Sequence, residues 1–165
     1  MNGSQKLLIG VGLGLVAISM LYGFYYAVFD EHQTLEKIGL SMAGGFANAA
    51  AGNLAAAHES LQTYAGTRIE YLREVHGHSH MAALGTLLII LGLFLERAIA
   101  TEGNRRLIAW VMVIGAVCLP LGAWLDVMIP APVPKGMSII GTFCLVLGMA
   151  SMIFSLLFAS PDKDD

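Results

Sequence analysis

The chain has 165 residues, of which 56% are hydrophobic and only 13% charged, whereas an ordinary soluble domain carries roughly a quarter charged residues. The net charge is −3, and no run of Lys and Arg of the kind that grips phosphates is present, which argues against a nucleic-acid partner. Cys118 and Cys144 lie inside apolar blocks, where thiols behave as small hydrophobes, so a secreted disulfide framework is not the basis of the fold.

Four blocks are apolar enough for a membrane span, which needs about 20 such residues. In chain order they are residues 7–29, 78–95, 107–129 and 137–159. The first exceeds the usual apolar core of a secretory signal and no small-residue cleavage pattern follows it, so it reads as a retained span. The expected fold is an all-α integral membrane protein: one membrane domain over residues 1–165, a four-helix transmembrane bundle with an extra helical segment on the outer side, set in a lipid bilayer. Lys6, Arg97, Arg105, Arg106 and Lys163 fall on one side of that bundle, and Lys37, Arg68, Arg73 and Lys135 on the other. The short Arg-rich loop after the second span sets both termini in the cytoplasm, and a bacterial inner membrane is the expected location.

Residues 30–77 form the outer segment. Asp30 is placed to cap a helix carrying Leu35, Ile38, Met42 and Phe46, and a second helical pattern carries Leu54, Leu61, Tyr64 and Leu72. Between them lies an Ala/Gly-rich stretch, 44–57. The reading is a pair of helices on or above the outer surface; a fifth span over residues 38–57 is the alternative, disfavoured by Asn48, Asn53 and the glycines.

Glycines recur within the spans at 10, 12, 14, 85, 92, 115, 122, 141 and 148, which lets helix backbones approach closely. Close packing within the chain explains them more simply than a dimer motif. Pro120 is expected to bend the third span. Residues 130–134, with three prolines, are expected to form a stiff extended link to the fourth.

All five histidines lie between residues 32 and 80, on the outer side or at the outer membrane edge of the four-span arrangement. Three of them, His76, His78 and His80, open the second span. Imidazoles near lipid lose hydrogen bonds unless partnered, and a metal ion or haem iron would supply a partner. At about 100° per residue, His76 and His80 share a helix face while His78 points the other way. The plainer reading is of interfacial histidines bonded to loops, headgroups or Glu74.

The stretch His78-Ser79-His80-Met81-Ala82-Ala83-Leu84-Gly85 resembles the His-x-His-x-Ala-x-x-Gly helix in the catalytic subunit of membrane nitric oxide reductases, relatives of the haem-copper oxidases. In that family the two histidines reach two haems from opposite faces of one helix. The resemblance implies that His78 and His80 are haem ligands. It covers one helix, and this chain lacks the further spans and histidines of that subunit, so reduction of oxygen or nitric oxide is not implied.

A smaller haem b site remains within reach. Six-coordinate haem takes two axial ligands, commonly histidines from separate segments, and His32 and His58 are the distant candidates, with Met20, Met42 and Met81 behind them. Copper or zinc is the competing cofactor. His76 and His80 form an i, i+4 pair to which Asp126 could add a carboxylate; Asp126 could also orient one of the histidines.

No phosphate-binding loop, zinc-protease motif or Cys-x-x-Cys pair occurs, and no catalytic residue is assigned. The aromatic end of the first span (Tyr22, Phe24, Tyr25, Tyr26, Phe29), together with Trp110 and Trp124, reads as interfacial anchoring. The functional expectation is a membrane haem b protein or subunit that passes electrons. The alternatives are a non-catalytic subunit of a larger respiratory or photosynthetic complex, or a copper or zinc site for metal handling. Partner subunits or a homo-oligomer are compatible with all three.

Overall fold

The computed structural model describes residues 1–98, 101–128 and 132–158. They form five helices: α1 (Gly3–Phe29), α2 (Glu31–Ala50), α3 (Leu54–Ala98), α4 (Glu102–Met128) and α5 (Pro132–Phe158). Four of them, all but α2, are long and apolar enough to cross a membrane. Lys163 and residues 129–131 lie outside the described part.

A reciprocal cap opens α1. The Asn2 side chain accepts from the Gln5 N–H at 2.8 Å, and the Gln5 side chain accepts from the Asn2 N–H at 3.2 Å. The helix nearly continues into α2. Asp30 alone separates them, with φ −116° and ψ −34°, and its N–H still donates to the Tyr26 carbonyl at 3.0 Å. The expected Asp30 side-chain cap is absent, because the backbone passes through this residue almost helically.

Residues 51–53 turn the chain back. Gly52 adopts φ +76°, and the N–H groups of Gly52 and Asn53 donate to the carbonyls of Ala49 and Asn48. This is the Schellman closure that a left-handed glycine permits. The Asn53 side chain then accepts from the Ala56 N–H at 3.3 Å and opens α3. The Ala/Gly-rich stretch is thus the tip of a helical hairpin, and α2 is not among the helices apolar enough to span.

The outer segment departs from the expected pair of separate helices. Its second half and the second apolar block are one unbroken helix, α3, 45 residues long, or about 67 Å at 1.5 Å per residue. Together α1–α2 and α3 make a long antiparallel hairpin. The buried and half-buried positions of α3 include 57, 60, 64, 67, 71, 74, 78, 81, 85, 88, 92 and 95, spaced alternately three and four apart. That is the 3.5-residue repeat of a left-handed coiled coil. Positions 8, 12, 15, 19, 22 and 26 of α1 answer it.

Glycines set the helix spacing. A Cβ on Gly12 would stand 2.6 Å from the Gly85 carbonyl oxygen, and one on Gly85 would stand 2.6 Å from that of Gly12. α4 and α5 form a second antiparallel pair of the same kind: a Cβ on Gly115 would meet the Gly141 carbonyl at 2.8 Å, and one on Gly122 the Pro134 carbonyl at 2.6 Å. Most of the span glycines therefore serve close packing within the chain, although Gly10 and Gly14 face open space. The two pairs join mainly through α3 and α4, around Leu8, Leu88, Leu95, Met112, Ala116 and Met152. α4 stays helical through the buried Pro120. The link to α5 is shorter than expected, since Pro132 and Pro134 lie in the first turn of α5, where a missing N–H costs no helical bond.

Gly85→Leu is expected to lower stability by about 1–3 kcal/mol through overpacking against the α1 backbone, whereas Gly10→Ala should be tolerated. Thermal melting of both variants in detergent, read by circular dichroism, checks this.

Candidate cofactor site at His78

Because α3 is one unbroken helix with an alternating three- and four-residue seam, the three clustered histidines divide by face. His78 occupies a seam position and is half-buried, while His76 and His80 point outward and are exposed. The Ser19 hydroxyl of α1 donates to the His78 carbonyl at 2.6 Å, tying the two helices together at this level.

The His78 Nδ1 lies 3.0 Å from the Glu74 carbonyl oxygen, and a carbonyl only accepts, so Nδ1 carries a proton and donates. Opposite it stands Gly23; a Cβ there would come within 3.5 Å of the ring and 3.7 Å of Nε2. The Tyr22 ring lies 6.1 Å from the imidazole, and Trp124 of α4 meets Tyr22 edge to face, also at 6.1 Å.

Beside this group lies a cavity of about 410 Å³, within the roughly 300–1,000 Å³ range of small-molecule sites. Ile18 and Tyr22 of α1, Gly77, His78 and Met81 of α3, and Val117, Pro120 and Trp124 of α4 line it, and Gly14 gives it a shallow wall. Cβ atoms on Gly14 or Gly77 would meet nothing within 4 Å, so the space beside the ring is open. Glu74, one turn before the apolar stretch, also lies in the seam. Burial first, then Asp30 and Glu70, raise its carboxyl above the ordinary range.

The other candidate residues lie elsewhere. His58 is exposed near the hairpin tip, its Nε2 2.9 Å from the Gln62 side-chain nitrogen, and the twenty residues to His78 rise about 30 Å along α3. His32 is exposed in the first turn of α2. α1 meets His78 through Ser19, so thirteen further residues, about 20 Å of helix, separate His32 from that level. The structure therefore does not bring His32 or His58 together with His78 or His80. Asp126 shares a pocket with Arg73, Lys135 and Ser138. Among the described residues no three His, Cys, Asp or Glu side chains gather as a metal site requires, so the His76–His80–Asp126 triad does not assemble.

Tyr22 and Trp124 depart from the anchoring role expected of them. They read as membrane anchors, yet they face inward on His78 and the cavity. The signal was available for Tyr22, which falls seven residues after Leu15 on the seam. Phe24, Tyr25 and Phe29 are exposed as anchors would be. No known protein family, curated protein or solved structure matches the chain.

Spin labels at residues 58 and 79 should give a distance near 30 Å by pulsed electron paramagnetic resonance, since α3 is unbroken between them. A distance below about 20 Å would mean that the segment folds back, returning His58 to the cavity level.

Proposed function

We propose that the chain is an integral membrane protein that holds haem b through His78 and passes electrons. The observation that carries this reading is the His78 imidazole itself, held by the Glu74 carbonyl through Nδ1 and lining an apolar cavity of about 410 Å³. The resemblance of residues 78–85 to the histidine helix of nitric oxide reductases supports the same residue. When bound, haem supplies reversible one-electron chemistry.

The chain's own residues provide the setting. The Glu74 carbonyl orients the ring and strengthens Nε2 as a donor. Ile18, Val117 and Pro120 keep water from the ligand, and Gly14 and Gly77 leave room for a flat group. Met81 stands one turn after His78 on the same helix and lines the cavity beside it. Among the described residues, His78 is the histidine that lines the cavity and would hold the group.

A second reading, a subunit of a larger membrane assembly, is favoured by one face of the outer hairpin. Leu35, Met42, Phe46 and Leu61 are each 41–67% exposed. Each directly follows a seam position, and in an antiparallel pair such residues share one side. That face lies beyond the apolar spans, where lipid does not account for it.

Protein expressed with ample haem should be red, with a reducible b-type spectrum and haem extractable by acid acetone, because no covalent attachment motif is present. His78→Ala should lose more than nine-tenths of the haem, while His32→Ala and His58→Ala keep it. Full haem retention by His78→Ala would overturn the assignment; colourless wild-type protein from haem-replete cells would leave the subunit reading in its place.

A further inference from the structure

We infer that His76 and His80 form a separate site, a two-imidazole clamp on the outward face of α3 for a borderline divalent ion, copper(II) or zinc(II). It shares neither ligand nor helix face with the cavity at His78, and it needs no carboxylate from α4.

The pair stands four residues apart on one helix, so both side chains project from the same face. Their ring centroids are 6.2 Å apart with the planes tilted by 40°. The His76 Nδ1–H donates to the Leu72 carbonyl at 2.6 Å. That bond puts a proton on Nδ1, so the neutral ring would offer Nε2 to an ion, and it is the backbone contact that metal-bound histidines ordinarily make with their other nitrogen. Both rings are exposed, so small side-chain rotations bring the two Nε2 atoms to about 2 Å from a common ion.

Neutral imidazoles suit copper and zinc and are poor ligands for calcium or magnesium. Because no third His, Cys, Asp or Glu joins the pair among the described residues, the remaining positions fall to water or other small oxygen donors. Such a site exchanges its ion readily, unlike a closed structural site.

Copper(II) titration of purified full-length protein without a polyhistidine tag, followed by electron paramagnetic resonance, tests the clamp. One copper per chain is expected, with nitrogen couplings from two imidazoles, and zinc should compete for it. His76→Ala and His80→Ala should each weaken binding at least tenfold while leaving the haem spectrum intact. His78→Ala should leave copper binding unchanged, which separates this site from the cavity. Wild-type binding in both outward variants, or copper lost only with His78→Ala, would overturn the inference. One copper per two chains with four nitrogen couplings would overturn it too, by placing the ion between copies.

Discussion

The close approach of α1 to α3 governs the rest of the molecule. Gly12 and Gly85 bring two backbones so near that no side chain fits between them, and from that crossing the alternating three- and four-residue seam runs along both helices. In lipid, helices gain little from excluding apolar surface, so such contact must come from packing and short hydrogen bonds. The Ser19 bond to the His78 carbonyl is one of these, placed seven residues along α1 from Gly12 and seven residues back along α3 from Gly85.

Register then decides chemistry. A seam position turns His78 inward with Tyr22 and Trp124, while the two-residue offsets to His76 and His80 turn those rings away from α1. The same rod-like α3 that orients His78 also carries His58 about 30 Å from it. Three histidines in five residues therefore meet two different surroundings, one half-buried beside an apolar cavity, the other exposed.

Much of this was legible in the chain. Over the described residues the four apolar blocks lie within the four long helices, and the 100° rule separated His78 from its neighbours. The continuity of α3 was harder to see, because composition changes sharply near Gly77 while the backbone does not. Its seam passes through Thr67, Tyr71, Glu74 and His78, whose polarity hides the heptad from a reading based on hydrophobicity. Asp126 was harder for a related reason: its depth near the end of α4 follows from sequence, but the pocket it shares with Arg73 and Lys135 depends on how α4 and α5 pair. The three prolines suggested an extended link, yet the first turn of a helix accepts Pro without losing a bond.

The central claim is that the fold delivers one histidine, and only one, to a cofactor in the cavity. Resonance Raman spectroscopy of the reduced, haem-loaded monomer measures this most directly. The account predicts a high-spin iron with a single iron–imidazole stretch that disappears in His78→Ala. A low-spin spectrum with two imidazole ligands in a monomer would contradict it, because α3 would then have to bend and bring a second histidine across the cavity.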